Sequence, residues 1–250
     1  FKGNQLVNAI ALDSLVLTGS NMLGPLLGGV LIYLVGFSGA YVGLTAMYFI
    51  GLLLLFWLPA RKRDESGFDE QSPISQVEAF KELRRNRTVW AALLVTVALN
   101  IFGFPFQQMV PVIAREVLGT GSVLYGVLAS AVGLGAITGS LLIATGRMQK
   151  HGTVYSLGSI LMVVAIFIFS FSQIYAVSVM LLFLTGIGLS FFSTLQPVIV
   201  LQASPARMRG RALGAIALCI GFNPLGLILI GQMADRLGAQ NALAILTGVG

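Results

Sequence analysis

Apolar residues run along this chain in stretches of about twenty, the length a helix needs to cross a hydrocarbon core, separated by short polar or glycine-rich breaks. Seven stretches are complete and an eighth is partial. Span A covers about 14–35 and breaks at Gly36-Phe37-Ser38-Gly39, and span B covers 40–58 and ends at Pro59. A long polar segment, 61–87, follows. Span C then covers 88–113, D 123–145, E 153–171, F 176–201 and G 212–233, while H opens near Ala239 and is too short to cross before Gly250. The pattern predicts an all-α membrane protein.

Composition agrees on the solvent. Hydrophobic residues make up 56% and charged residues 10% of the 250, and mean hydropathy is +0.91. Soluble domains carry about a quarter charged residues. A net charge of +6 could suggest nucleic acid, but the cations sit in short loops, which is a topology signal, so no nucleic-acid partner is expected. Cys219 is the single cysteine, which excludes an intramolecular disulfide or cysteine metal cluster. No metal or cofactor motif is expected either. Gly133, Gly135 and Gly139 in span D follow no strand and read as small-residue packing, not as a nucleotide turn. His151 lies in a basic loop and reads as solvated. The chain opens on Phe1 with no signal segment and reads as a fragment.

Alternating spans divide the loops into two sets. One holds thirteen cations, among them Lys2, the seven of 61–87, Arg147, Lys150, Arg207, Arg209 and Arg211; the other holds only Arg115 and Arg236. The rich set is expected in the cytoplasm, which puts loops 61–87, 147–152 and 205–211 inside and 114–122 outside a plasma (inner) membrane.

Span A carries Gly24-Pro25 and Gly28-Gly29, a combination that membrane helices tolerate because neighbours satisfy the freed backbone. The design returns once. At an offset of 202, Gly19, Asn21, Leu23, Gly24, Gly29, Gly36 and Ala40 meet Gly221, Asn223, Leu225, Gly226, Gly231, Gly238 and Ala242. Both copies start on the same side, so the repeat is parallel. In the long loop, Ile74, Val77, Phe80 and Leu83 share a helical face, as suits a helix on the membrane surface; a solvated linker is the other reading. Span G is the sixth span after A. If the loop joins two halves, residues 1–60 are the last two helices of a first half, 61–87 the central loop, and 88–250 a second six-helix half with its last helix incomplete. Four helices of the same protein are then expected upstream.

These features resemble the major facilitator superfamily. GPLLGG in span A is similar to the GxxxGPxxGG motif of that family's fifth helix, with Ser20 where a glycine is usual. PARMRGRALG at 205–214 resembles the turn before its eleventh helix, and GQMADRLG at 231–238 the loop before its twelfth. GRMQKHG at 146–152 resembles the turn between helices eight and nine but lacks its acidic residue. NIFGFPFQQMVPVIAREVLG at 100–119 is similar to the subgroup of the enterobactin exporter and macrolide-efflux proteins. The resemblance implies a 6+6 helix bundle, here truncated at both ends, and ion-coupled export of a small amphipathic molecule by alternating access, with the proton as the expected coupling ion. The alternative is a transport-inactive membrane sensor or assembly partner, which fold alone does not exclude. No nucleophile–base pair or phosphate loop supports an enzyme.

Polar side chains inside spans are costly and face a cavity or another helix. In span C, Asn100, Gln107 and Gln108 fall with Phe104 on one face of a regular helix, near Pro105. Span F carries Ser193, Thr194 and Gln196 before Pro197. The resemblance makes both helices cavity-lining, so Asn100, Gln107, Gln108, Ser193 and Gln196 are the expected substrate contacts. Asn21 and Asn223 sit beside packing glycines and read as interhelical glue. With Gly24, Pro25, Gly28, Gly29 and Gly226 they form the packing or gating motif. Asp13 is a candidate proton site, although its place near the cytoplasmic end of span A favours a structural or capping role. Spans B and E are nearly all apolar and are expected at the lipid-facing periphery. The topology predicts that, in a Cys219→Ala background, an impermeant thiol reagent added to intact cells labels Gly121→Cys and spares Ser66→Cys. Labelling of position 66 from outside would reverse the orientation.

Overall fold

The computed structural model describes residues 3–56, 85–144, 150–205 and 208–249; side chains of residues up to 19, and of 21, 22 and 55, also lie outside the description. The predicted central-loop helix at 74–83 and Arg207 fall outside the described residues.

The first helix, α1 (Gly3–Phe56), contains both A and B. Gly36 interrupts it with φ 70° and ψ 178°, a left-handed φ that glycine adopts without a Cβ penalty. The chain doubles back there. A Cβ on Gly43 would lie 3.7 Å from the Leu31 side chain, whereas twelve residues of straight helix would set the two about 18 Å apart. The limbs 3–35 and 37–56 therefore pair antiparallel, as two consecutive spans must. No described residue of limb 37–56 is buried.

Span C divides into α2 (Arg87–Ala98), a π turn (Leu99–Gly103) and α3 (Phe106–Glu116). Asn86 caps α2 by accepting from Thr88 N at 3.0 Å, while its own amide donates to Ala203 O at 2.7 Å. Spans D, E and F are single helices: α4 (Ser122–Ala144), α5 (His151–Phe169) and α6 (Tyr175–Ala203). Span G, expected as one helix, is α7 (Arg209–Ile220) and α8 (Asn223–Leu237) with a turn at 221–222. Pro224 accounts for the restart, because it lacks an N–H and suits the first turn of a new helix. The last helix, α9 (Ala239–Val249), follows Gly238 at φ 81° and ψ 157°. Gly238 is the repeat mate of Gly36, and both turn the chain with a positive φ into the next helix. Among the described residues, six helical segments are long and apolar enough to cross a membrane, the A–B segment counting once.

Helix α6 is the axle of the packing. Gly186 lies against Val132 O of α4, where a Cβ would overlap the carbonyl, and Gly188 lies against the α5 backbone, 2.7 Å from Met162 N to its Cβ position. Residues two apart on a helix point about 200° apart, so two glycines let α6 hold a helix on each side. Phe106, Ile113, Leu128, Met162, Ile166, Phe169 and Leu182 fill the core between them. On α5, Leu157, Ile160, Val164 and Ile168 remain exposed on the face away from that core, consistent with a lipid-facing helix.

The ends segregate. Val89, Leu93, Val200, Met208 and Ala212 cluster at the end where α2 and α7 start and α6 finishes, which is also where Arg85, Arg87, Arg209 and Arg211 lie. At the other end Tyr175 donates to Leu124 O at 2.9 Å and Gln240 to Ser172 O at 3.5 Å. The described parts of two loops assigned to one side by charge, residues 85–87 and 208–211, thus share one end of the bundle.

Candidate functional site

The site grows from an irregularity in span C. Pro105 has no N–H, so the carbonyls four and five residues before it, Ile101 O and Asn100 O, lose that donor. Phe104 N instead bonds Leu99 O at 2.8 Å, five residues back, which is the π turn. Helix α8 meets the freed carbonyls. Asn223 Nδ2 donates to Asn100 O at 3.4 Å, and Gly226 lies against Ile101 O and the Pro105 ring, with no room for a Cβ. Two members of the repeated motif therefore seat α8 on the weak point of span C.

The same turn separates the amides. In a regular helix Asn100 shares a face with Gln107 and Gln108, but the wider π turn rotates it away. Asn100 is 4% exposed and donates through Nδ2 to Thr96 O at 2.8 Å. Gln196 is 5% exposed and donates to Thr96 Oγ1, whose hydroxyl in turn donates to Ala92 O at 2.7 Å. Tyr155 OH donates to the same carbonyl at 3.3 Å. Asn100, Gln196, Thr96 and Tyr155 thus tie α2, the π turn, α5 and α6 into one buried network. Thr96 and Tyr155 were not among the sequence candidates; a threonine and a tyrosine in apolar runs were the available signal.

Gln107 and Gln108 are exposed, and both line a cavity of about 430 Å³. Its other walls include Pro25 of α1, Phe106 and Pro111 of α3, Tyr125 and Ala136 of α4, and Leu189 of α6. Asn100, Gln196 and Ser193 are not in its walls. Ser193 is exposed and its hydroxyl donates to Ser190 O of its own helix at 3.4 Å. A chamber of this volume with mostly apolar walls and a few convergent amides has the make-up of a small-molecule site.

One wall of that chamber is held by the glycine motif of span A. A Cβ on Gly29 would overlap Ser122 O of α4, and one on Gly126 would lie 2.7 Å from Pro25 O, so α1 and α4 cross backbone against backbone. Gly24 and Gly28 have nothing within 4 Å of a Cβ. The side chains of Asp13 and Asn21 lie outside the described residues. Arg209 is exposed and Arg211 reaches the sulfur of Met208 at 4.0 Å. No group of three or more metal-ligating side chains occurs among the described residues.

Residues 1–224 match the profile of the Major Facilitator Superfamily. The chain belongs to this superfamily of transporters. Two curated relatives, each named "Putative bacilysin exporter BacE", come from Bacillus subtilis and Bacillus amyloliquefaciens. Each is 26% identical over 205 residues, which is 80% of this chain and 50% of the relative. Among solved structures, a bacterial homologue of the human lysosomal transporter Spinster, in an inward-facing and unoccupied conformation, aligns with a TM-score of 0.65 at 14% identity. That alignment covers 99% of this chain and 63% of the other. It shows the fold. The chain spans about half the length of its curated relatives.

The buried network carries its own prediction. Asn100→Ala or Gln196→Ala strands a buried partner and should cost about 1–3 kcal/mol of stability, whereas Gln107→Ala should change it by about 0.5 kcal/mol or less. Thermal unfolding in detergent measures both. Equal tolerance of all three substitutions would mean the network does not bear on stability.

Proposed function

We propose that the full-length protein is a secondary active exporter of a small amphipathic molecule, working by alternating access between two six-helix halves. The observation that carries this reading is the chamber lined by Gln107 and Gln108. It lies where α1, assigned to the first half, meets α3, α4 and α6 of the second. Apolar walls take the body of such a cargo, and neutral amides meet its polar groups without fixing one charge. A carrier needs that balance, since its site must release as well as bind.

Export as the direction rests on the similarity of residues 100–119 to the enterobactin-exporter and macrolide-efflux subgroup, and on the exporter name of the curated relatives. Cargo contact is assigned to Gln107 and Gln108. Asn100 and Gln196 hold the π turn that fixes where those amides stand, and Ser193 borders the same helix without lining the chamber. The proton is the coupling ion in this reading, with Asp13 as the candidate carboxylate of the first span. The basic loops face the cytoplasm of a bacterial inner membrane.

Cells expressing the full-length protein should extrude amphipathic dyes or drugs down to a lower steady level than cells with an empty vector, and a protonophore should abolish the difference. Gln107→Ala should shift the order of preference among those compounds while protein level and melting midpoint stay unchanged. Extrusion that never depends on the protein would leave the sensor or assembly reading in its place. An unchanged preference order in both Gln107→Ala and Gln108→Ala would remove the two amides from the site.

A further inference from the structure

A second cavity, of about 670 Å³, adjoins the first. The two share Pro111 of α3 and Tyr125 of α4. They are stacked along the helices, since three elements pass from one to the other in a consistent order. On α1 the walls go from Pro25 to Ile32, about 10 Å further along the axis. On α3 they go from Gln107 through Pro111 to Arg115, and on α4, which runs the other way, from Ala136 through Tyr125 to Ser122. The second cavity therefore lies toward the end that carries residues 117–122.

Its chemistry differs from that of the first. Ile32, Phe37 and Val112 give apolar walls, while Arg115 and Glu116 stand at the far side, both exposed and with no ion pair among the described residues. Tyr125 sits at the junction, half-buried, and its hydroxyl has no hydrogen-bond partner among the described residues. Next to it, Gly126 and Ser122 meet the α1 backbone at Pro25 and Gly29, so the α1 side of the junction is closed by main chain. Tyr125 and Pro111 are the residues that line both spaces.

We propose that the two cavities are successive compartments of one cargo path, and that Tyr125, against Pro111, is the partition between them. Resting on the transport reading above, this makes Tyr125 a residue that selects cargo by width and offers it one polar group in passing. An amphipathic molecule with a charged end group fits the sequence of walls, amides first, then the phenol, then Arg115 and Glu116. Removing the ring joins the chambers.

The test needs no cargo. In the full-length protein freed of other cysteines, including Cys219→Ala, single cysteines at Gln107 and Thr120 report the inner and outer compartments. A membrane-impermeant maleimide is added from the side of residues 117–122. Gln107→Cys should react slowly and Thr120→Cys quickly. Adding Tyr125→Ala should raise the rate at Gln107→Cys about tenfold, the equivalent of removing about 1.4 kcal/mol of barrier, and leave Thr120→Cys unchanged. Tyr125→Trp, which keeps a large ring, should leave Gln107→Cys as slow as before or slower, and it serves as the informative variant if the alanine protein does not fold. Equal Gln107→Cys rates with Tyr, Ala and Trp at position 125 would overturn the partition. A parallel rise at Thr120→Cys would also overturn it, by showing general loosening. Failure of the cells to export any compound would refute the transport reading while leaving these rates as they are.

Discussion

Helices in lipid have no hydrophobic force to draw them together, because the acyl chains around them are as apolar as their own side chains. What holds them is the contact made when small residues let two backbones approach. The closest helix crossings among the described residues are built that way. Gly29 and Gly126 bring α1 onto α4, Gly135 and Gly186 bring α4 onto α6, Gly158 and Gly188 bring α5 onto α6, and Gly226 seats α8 on span C. The cavities lie beside the α1–α4 crossing, bordered by Pro25, Pro111 and Tyr125.

One polar device works alongside the glycines. Pro105 removes a donor from span C, and the bundle answers with a π turn, an asparagine from α8 and a buried network of Asn100, Thr96, Gln196 and Tyr155. An unmet carbonyl in hydrocarbon costs several kcal/mol, and Asn223 supplies a donor to the freed Asn100 O. The effect is to fix the rotation of α3 and so to aim Gln107 and Gln108 at the chamber. Residues that never line the chamber thus set its chemistry.

Much of this was legible in the sequence. Runs of twenty apolar residues gave the spans, the glycine break at 36–39 gave the first hairpin, and the parallel repeat reappears as the matched positive φ of Gly36 and Gly238. What was not legible follows from the assumption of a regular 3.6-residue helix. That period places Asn100 with Gln107 and Gln108, and one π turn undoes it; Pro105 gave a hint but not the direction of the rotation. Span G was read through Pro224 as continuous and is broken there. Tyr125 and Pro111 could not be picked out, because a tyrosine and a proline near span ends acquire meaning only when two cavities meet at them.

The contact between α1 and α4 is the claim on which the chamber depends most, since it sets main chain of one element against main chain of the other at Gly29. Pulsed electron resonance between spin labels at Phe37 and Thr120, in a Cys219→Ala background, reads the separation of the two elements where both line the outer cavity. A short-distance population is expected with the native glycines. It should persist in Gly28→Val, where a Cβ meets nothing within 4 Å, and shift to longer distance in Gly29→Val. An unchanged distribution in Gly29→Val, or an equal shift in both variants, would contradict the backbone contact as the element that closes this end.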